Sequence, residues 1–543
     1  MSFLRRNLDA IFYTSPELIK RILKPVQDDY IEKTNDGTFL KIGLSKIPIT
    51  CSEEDCNKFK QKMGETEEVV LLGLGCGKLL ETWQNTNGKK PNLIVWENDL
   101  NFLLQSLESV DLRQAIFSRA LSFIYSIDLV KLSNQTSRYY HPHLKDFYTP
   151  IFDYCFNKTR DKRCVALWKG LMIQDVAETL KNRQWGVYPI FMHSTPSDEI
   201  FHIISATRPQ VLFSINAYQG MTTLAKHGKV PWICWDIDPT TNLKLRLDNS
   251  GKQKIFTYRR ANIERYKKET SSDQVHFLPF AANPLRRKPH FDQGYECNVS
   301  FVGASMQDTA PKRLRELLKL LKDSGQTQNM TQKQVTRIIS TLIKEQLSNA
   351  GETILRDRVH QEFPLLEKWL ITEPDPLDPV MLLGEQAASQ HRARVLQNLR
   401  NKTPEVWGDE GWGQVHGITY RGAAGNNQML NKIYSNSKIN IDIGRVYQPE
   451  IVTLRVFDVL ACGGFLLAPF NEELGRLFRI GEHLDVYHSQ EDLNQKIDFY
   501  LKEPKLRQKI AAQGRKWVIH NHTIDQRVKT MFRTLTHTRQ RVG

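Results

Sequence analysis

The segment from Lys438 to Val486 constrains the fold more than any other, because its residues follow the pattern strand, loop, helix, strand without interruption. Its loop ends at Glu450, where an acid complements the dipole of a helix start. The predicted helix has apolar residues at helical spacing, namely Leu454, Val456, Phe457, Val459 and Leu460. It ends at Gly463 and Gly464, which permit the turn into the next apolar strand. The pattern predicts an α/β unit with Glu450 at the helix start and Asp458 two turns later.

Composition restricts the class of protein. Hydrophobic residues make up 40% and charged residues 25% of the 543 residues, which is typical of globular chains, and no apolar run is long enough to span a bilayer. The eight cysteines are scattered and form no CxxC pair, which favours a reducing cytoplasm over a zinc or disulfide framework. The formal charge of +15 is compatible with nucleotide diphosphates, acidic glycans, nucleic acid or peripheral contact with an anionic membrane.

The run from Arg455 to Leu467, RVFDVLACGGFLL, resembles CgeB-like glycosyltransferases, and the E-x7-E signature of the GT-B nucleotide-sugar domain is matched as Glu450 to Asp458. The resemblance implies two Rossmann-like domains and sugar transfer from a nucleotide-diphosphate donor. It implies no required metal or cofactor, and a surface glycan or protein as acceptor. The signature favours retention of configuration, although the stereochemistry stays open. Asp458 stands where the family usually has glutamate, which shortens the reach of the side chain by one methylene.

A second resemblance lies near the N-terminus. A predicted strand is followed by Gly73, Gly75 and Gly77, and the next strand ends at Glu97, which is a dinucleotide-binding pattern. It resembles S-adenosylmethionine-dependent methyltransferases and the nucleotide-binding-like domain of motility accessory factors, which would make flagellin one candidate acceptor. A methyltransferase, alone or fused to a transferase, is therefore one alternative function. A tight turn without a ligand is the structural alternative for the glycines.

These resemblances imply a domain organisation. Strands that alternate with helices predict parallel, doubly wound sheets. The expected parts are an N-terminal Rossmann-like domain at 1–155, an acceptor-side domain at 156–290, a nucleotide-sugar domain at 291–520 with a helical insertion at about 312–400, and a crossover helix with tail at 521–543.

Candidate catalytic residues lie where predicted strands end, because parallel sheets bind ligands beyond their carboxyl ends. Asp236 and Asp238, in the sequence WDIDP, and His193 are the candidates for a general base. Glu450 would face the donor sugar. Asp before Pro is also a common turn former, so a structural role for Asp238 is the alternative.

Donor binding is expected in the C-terminal half. The helix beginning at Glu450 would offer free N–H groups to a diphosphate. On the resemblance, Asp458 would accept hydrogen bonds from the ribose hydroxyls. The other candidates are Gly303, Arg421, Arg445, Gly463, Gly464 and Trp407. The arginines would pair with phosphate and the tryptophan would stack on the base, whereas solvated or core roles are the alternatives. A non-enzymatic anion-binding or nucleic-acid-binding protein is a further alternative, but no nucleic-acid-binding motif supports it.

Overall fold

The computed structural model describes residues 2–23, 29–35, 37–42, 45–132, 136–157, 161–218, 220–238, 253–268, 274–292, 294–373, 376–399, 402–425 and 427–539. The chain separates into two compact units. Unit 1 comprises Met1–Ile215 and Gly220–Cys234, and unit 2 comprises Asn216–Gln219 and Trp235–Gly543.

Unit 1 begins with two helices and a small antiparallel sheet, followed by a parallel sheet. The elements are α1 Phe3–Thr14, α2 Pro16–Ile22, β1 Ile31–Thr34, β2 Gly37–Ile42, β3 Ser45–Pro48, α3 Glu53–Gly64, β4 Glu68–Leu72, α4 Lys78–Gln84, β5 Asn92–Glu97, α5 Leu100–Ser109, α6 Arg113–Phe117, β6 Leu121–Tyr125, β7 Arg138–Tyr140 and α7 Lys145–Phe156. The parallel strands have the order β6-β5-β4-β7. Val69 and Leu71 of β4 pack with Trp83 of α4 in one buried cluster, so apolar strand faces hold the helices on the sheet.

The second part of unit 1 repeats the strand and helix alternation. Its elements are β8 Lys162–Leu167, α8 Ile173–Asn182, β9 Trp185–Ile190, α9 Ser197–Thr207, β10 Val211–Ile215 and α10 Met221–Gly228. β8 pairs in parallel with both β9 and β10. β11, Trp232–Asp236, begins in unit 1 and ends in unit 2.

Unit 2 contains a six-stranded parallel sheet. Before the helical insertion, unit 2 contains the elements β12 Gln253–Thr257, α11 Ala261–Lys267, β13 Val275–Phe277 and β14 Cys297–Val302. The insertion and the elements after it are α12 Thr309–Asp323, α13 Gln332–Ser348, α14 Leu355–Glu362, α15 Pro364–Thr372, α16 Pro379–Gln397, β15 Glu405–Trp407, β16 Thr419–Tyr420, α17 Asn427–Asn436, β17 Ser437–Ile441, α18 Leu454–Ala461, β18 Leu466–Pro469, α19 Glu472–Leu477, β19 Asp485–Tyr487, α20 Gln490–Lys502, α21 Pro504–Asn521 and α22 Ile524–Arg539. The strand order is β16-β15-β14-β17-β18-β19, which brings the ends of β14 and β17 side by side.

Helix α22 is tied to the segment that follows β13. Ala282 donates its backbone N–H to the carbonyl of His522 and accepts from the N–H of Ile524. The guanidinium of Arg527 donates to the carbonyls of Pro279 and Phe280 at 2.9 and 3.0 Å. The last helix of unit 2 is therefore anchored on a segment more than two hundred residues earlier in the chain.

The predicted α/β class with parallel, Rossmann-like sheets is confirmed. One local prediction is wrong: the helix expected to begin at Glu450 begins at Leu454, with Thr453 at its N-cap. Glu450 lies in a turn before this helix. The prediction failed because Pro449 and the acid after it suit a turn as well as they suit a first helical turn. All eight cysteines are free thiols. Among the described residues, no helix combines the length and apolar character needed to cross a bilayer.

Candidate functional site

The loop after β14 is held by side chains from three other elements. Arg455 of α18 donates its Nε–H to the carbonyl of Val302 at 2.6 Å, and its guanidinium lies 4.6 Å from the ring centre of Phe301. A β-carbon on Gly303 would lie 2.5 Å from Nη2 of Arg455. Glycine is therefore needed at 303 to admit an arginine of the protein itself. The prediction of a donor contact at Gly303 stays untested.

The same loop receives two further hydrogen bonds from α16. Arg392 donates from Nη1 to the carbonyl of Ala304 at 2.7 Å, and Ser389 donates its hydroxyl to the carbonyl of Ser305 at 3.0 Å. The indole of Trp412 donates to the carbonyl of Gly303 at 2.7 Å. A loop whose carbonyls are bound in sequence is held in one conformation, as a pre-organised binding site requires.

Arginines and carboxylates alternate around this loop. Arg455 forms an ion pair with Asp442, which also accepts a hydrogen bond from the hydroxyl of Thr453 at 2.9 Å. Arg445 donates to Oε1 of Glu385 on α16 at 2.9 Å. Burial acts to lower the pKa of Arg445, but its interactions with Glu385, Tyr447 and Tyr258 together outweigh burial, so that this pKa is raised. Each of these two arginines thus has its own carboxylate.

Arg392 differs from these two arginines. Only 6% of the residue is exposed, and its Nε is buried without a hydrogen-bond partner in the described part of the chain. Burial, together with the nearby charges of Arg445 and Arg455, lowers the pKa of Arg392 to about 9, and the charges of Glu385 and Asp442 offset this only in part. At neutral pH it is a buried cation without full compensation.

Glu450 forms an ion pair with Arg259, which lies just after β12. About a third of the Glu450 side chain is exposed, whereas Arg259 is more deeply buried. Burial acts to lower the pKa of Arg259, but Glu450 outweighs it and keeps that pKa above its usual value. The carboxylate expected to face the donor sugar is therefore held by a guanidinium at one side and open to solvent at another.

Asp458 lies within α18 and forms an ion pair with Arg287, with 2.8 Å between Nε and Oδ2. Both side chains are at most 14% exposed. Such a pair is costly to break on one side, because the remaining charge stays buried. Asp458 consequently has a structural role in this structure, in addition to any contact with a ligand.

Asp236 is buried within a hydrogen-bonded network of its own unit. Its Oδ2 accepts from the hydroxyls of Tyr266 at 2.7 Å and Thr257 at 3.1 Å, and from the amide of Asn262 at 3.2 Å. Burial raises the pKa of Asp236. A carboxylate oxygen that already accepts three internal hydrogen bonds is poorly suited to take a proton from the hydroxyl group of an acceptor substrate.

Asp238 is only partly buried. Its Oδ2 accepts from the amide of Asn216 at 2.7 Å, and Oδ1 of the same asparagine accepts from the backbone N–H groups of Ile237 and Asp238. Asn216 thus fixes the turn and orients the carboxylate. Of the two aspartates, Asp238 keeps more capacity for a further partner.

His193 lies in unit 1, where its ring is 4.7 Å from that of Tyr30. Burial lowers the pKa of His193 to about 4, so that the imidazole is neutral at pH 7. Its Nε2 is buried and has no hydrogen-bond partner among the described residues. Its predicted role as a base is not tested by this geometry.

The remaining predicted donor residues lie in different environments. Arg421 is half exposed and pairs with Glu405 at 2.8 Å, and Trp407 is buried in β15. Gly463 has φ +74° at the end of α18, in the region that favours glycine. A β-carbon on Gly464 would lie 2.8 Å from Nδ2 of Asn440, so the turn accounts for Gly463 and close packing accounts for Gly464.

The glycine loop of unit 1 is filled by the protein itself. A β-carbon on Gly75 would lie 2.6 Å from Nε2 of His141, and one on Gly73 would lie 3.1 Å from its Cβ. A β-carbon on Gly77 would lie 2.8 Å from the hydroxyl of Ser106. Close packing of the chain, without a ligand, accounts for these glycines.

Glu97, at the end of β5, is fully buried. Its carboxylate accepts from the N–H groups of Leu74, Asn98 and Asp99 and from the hydroxyl of Tyr148. Four donors fill most of the lone-pair sites of a carboxylate, so few remain for a ribose. The acid that the methyltransferase alternative requires is engaged in the fold.

Three residues around the predicted site were missed by sequence reasoning: Arg259, Arg287 and Arg392. Basic residues near strand ends are common, and their spacing in sequence gives no signal of which ones pair. Arg392 lies near the end of α16, shortly before β15. This position could have pointed to it, but the bounds of α16 could not be recognised within the helix-rich insertion.

One part of the chain matches the model of a known protein family. Residues 390–533 match the model of a family described as glycosyl transferase-like. The matched stretch includes Arg392, Arg445, Glu450 and Asp458. No curated protein matches the chain.

Several solved structures resemble the chain. A glycosyltransferase from Rickettsia africae ESF-5 has 11% identity over 70% of this chain and 98% of its own, with a TM-score of 0.40. Anabaena Alr3699/HepE in complex with UDP-glucose has 8% identity over 73% and 95%, with a TM-score of 0.37. Sucrose-phosphate synthase from Thermosynechococcus elongatus has 11% identity over 69% and 100%, with a TM-score of 0.38. At these values no residue correspondence follows.

Proposed function

We propose that this protein is a glycosyltransferase that moves a sugar from a nucleotide-diphosphate donor to a glycan or protein acceptor. The observation that supports this most is the match of residues 390–533 to a glycosyl transferase-like family. That stretch contains both acids of the E-x7-D signature and all three arginines around the β14 loop, Arg392, Arg445 and Arg455. A methyltransferase is less well supported, because Glu97 is engaged by four internal donors.

Transfer from such a donor requires stabilisation of the departing diphosphate. Arg445, with about a third of its side chain exposed, is the residue best placed to meet phosphate from solvent. The carboxylate of Glu450 would accept a hydrogen bond from a hydroxyl of the donor sugar, and that of Asp458 from a hydroxyl of the ribose. Each hydroxyl would compete with the arginine that already pairs with the acid. For the general base we favour Asp238 over Asp236, because three internal donors already engage Asp236.

The finer parts of the proposal rest on the sequence. The sequence Asp236-Ile237-Asp238 is of the Asp-x-Asp type that can hold a cation. Metal independence is supported because Oδ2 of Asp236 already accepts a hydrogen bond from Tyr266. Among the described residues, no group of three His, Cys, Asp or Glu side chains is arranged to hold a metal. CgeB-like and motility-accessory-like relationships, flagellin or a surface glycan as acceptor, retention of configuration, a cytoplasmic location and contact with an anionic membrane remain predictions.

A screen of donor hydrolysis tests the proposal. The protein is incubated with UDP, GDP, ADP, CMP and TDP sugars, and release of free sugar is measured. We expect hydrolysis of at least one donor, with a loss of tenfold or more in Glu450→Gln. Glu472→Gln is the matched control and should keep full activity, because Glu472 is an exposed acid that pairs with the neighbouring Arg476. No hydrolysis of any donor, or equal rates in wild type and E450Q, would contradict the proposal.

A further inference from the structure

The arginines around the β14 loop outnumber the carboxylates that pair with them. The carboxylate of Asp409 also lies at this loop, but its printed partners are the N–H and hydroxyl of Ser305 and not an arginine. Three guanidinium groups, of Arg392, Arg445 and Arg455, act on one another electrostatically, together with the two carboxylates of Glu385 and Asp442. Arg455 pairs with Asp442 and Arg445 with Glu385. Arg392 is left without a carboxylate partner among the described residues, and it is the most buried of the three arginines.

The surplus cation costs folding free energy unless something compensates it. Taking a guanidinium out of water is unfavourable, and a protein rarely buries one without a carboxylate or other anion. Among the residues that the structure describes, Arg392 donates one hydrogen bond, from Nη1 to the carbonyl of Ala304. A carbonyl dipole neutralises no charge, and Nε is left without an acceptor in the described part of the chain.

The position of the surplus matches a ligand site. Asp442 directly follows β17 and Ala304 lies two residues beyond β14, so the group lies at the carboxyl ends of two adjacent parallel strands. Ligands of parallel α/β sheets bind at such ends. Arg445, which is about one-third exposed on its side chain, gives an anion access from solvent.

We propose that Arg392 is the counter-charge of an anion site on helix α16, which holds the phosphate groups of the substrate together with Arg445. This rests on the proposed function for the identity of the anion as a donor diphosphate. The guanidinium of Arg445 contacts the phosphate, and the buried charge of Arg392 attracts it strongly because the surrounding protein has a low dielectric constant. Binding of the anion compensates the cation that folding leaves unpaired.

The site also explains the shape of the local network. Helix α16 contributes Glu385, Ser389 and Arg392 from positions four and three residues apart, which lie on one face of the helix. Oε1 of Glu385 also accepts a hydrogen bond from the hydroxyl of Tyr447 at 2.6 Å, so the same oxygen binds both Tyr447 and Arg445. Glu385 therefore neutralises Arg445 and leaves Arg392 available to an anion.

Thermal unfolding in increasing inorganic pyrophosphate tests the site with the full-length protein at pH 7.5. A ligand that binds the folded state raises the unfolding midpoint, and the rise grows with the logarithm of ligand concentration once this exceeds Kd. We expect pyrophosphate to raise the midpoint of the wild type. In Arg392→Gln the midpoint without anion should be unchanged or higher, because an uncompensated charge is removed, while at least tenfold more pyrophosphate is needed for the same rise. A purely structural arginine would instead give a lower midpoint and an unchanged response to pyrophosphate.

Two variants complete the test. Arg507→Gln is the matched control, because Arg507 is also a buried arginine that donates to a backbone carbonyl, that of Tyr500. It should keep the pyrophosphate response of the wild type. Glu385→Gln removes a negative charge and should strengthen the response, which decides the matter if R392Q does not fold.

The outcomes separate this inference from the proposed function. A pyrophosphate response that depends on Arg392 in a protein that hydrolyses no nucleotide sugar would support the anion site and contradict glycosyl transfer. No response in the wild type, an equal response in R392Q, or an unchanged response in E385Q would overturn the anion site. Donor hydrolysis with any of these three results would leave the transferase proposal standing.

Discussion

Two loops of this protein follow the same sequence logic and differ in how their polar groups are satisfied. In unit 1, glycines follow β4 and Glu97 ends the next strand. In unit 2, Gly303 follows β14 and a charged residue, Asp442, follows the neighbouring strand β17. In the first loop, four protein donors bind the acid. In the second, one buried cation, Arg392, is without a carboxylate among the described residues.

The difference shows what distinguishes a tight turn from a ligand site in a parallel sheet. Glycine is needed in both loops for close approach of protein atoms, so it identifies neither. What separates them is the balance of donors, acceptors and charge after the chain has folded. A loop whose polar groups are all engaged is complete without a ligand, whereas a surplus of charge needs a partner from outside.

The largest effect is expected for the complete loop. Glu97→Ala removes the acceptor of four buried donors, each of which costs about 1–3 kcal/mol when left unsatisfied. We expect unit 1 to lose on the order of 3–5 kcal/mol of unfolding free energy in a denaturant titration. Glu68→Ala, an exposed acid on the adjacent strand β4, is the control and should change it by less than about 0.5 kcal/mol. Unchanged stability in E97A would mean that the acid is available to a ligand after all.

This comparison also shows how far the sequence reaches. The strands, helices and parallel sheets were predictable, because apolar periodicity and glycine or proline at element ends are local signals. The strand that was predicted to end at Glu97, for example, is Asn92–Glu97. The start of α18 was misplaced, since a proline and an acid suit both a turn and a helix start. The partners of Glu450 and Asp458 were not predictable, because Arg259 and Arg287 lie more than 150 residues away and only folding brings them close.

The two acids of the signature should differ in stability when removed. Asp458→Ala removes the carboxylate that pairs with the buried guanidinium of Arg287, so we expect a loss of about 3–5 kcal/mol in unfolding free energy. Glu450→Ala should lose less than about 1 kcal/mol, because a third of its side chain is exposed and solvent screens the pair. Both should lower donor hydrolysis. Equal stability of the two variants would contradict the structural role assigned to Asp458.

The polar network of unit 1 should also respond to pH. Burial, and then the charge of Glu97, raise the pKa of Asp99 to about 7, while its Oδ1 accepts from the hydroxyl of Tyr30 at 2.8 Å. The folded state therefore holds a proton between about pH 4 and 7 that the unfolded state releases, so this contribution to stability is lost as pH rises through that window.

Asp99→Asn should therefore gain stability relative to the wild type as pH rises from about 4 to 7, by up to about 1.4 kcal/mol per pH unit. The difference should be constant above that window. Thermal unfolding of both proteins across the pH range measures it. A difference that does not change with pH would mean that Asp99 is ionised in the folded protein throughout.

Chelation should have the smallest effect. We expect donor hydrolysis to persist in EDTA, because the Asp236 carboxylate is engaged by Tyr266, Thr257 and Asn262. Rates measured before and after chelation, with magnesium and manganese added back, check this. Loss of turnover in EDTA with recovery in manganese would assign Asp236 and Asp238 to a metal site.

Calorimetric titration of one preparation with S-adenosylmethionine and with a panel of nucleotide sugars tests most directly whether the incomplete loop, and not the glycine-rich one, binds the substrate. The account predicts that a nucleotide sugar releases or absorbs heat on binding, that R392Q and E450Q weaken this binding by tenfold or more, and that S-adenosylmethionine gives no signal. Saturable binding of S-adenosylmethionine, with no binding of any nucleotide sugar, would contradict it.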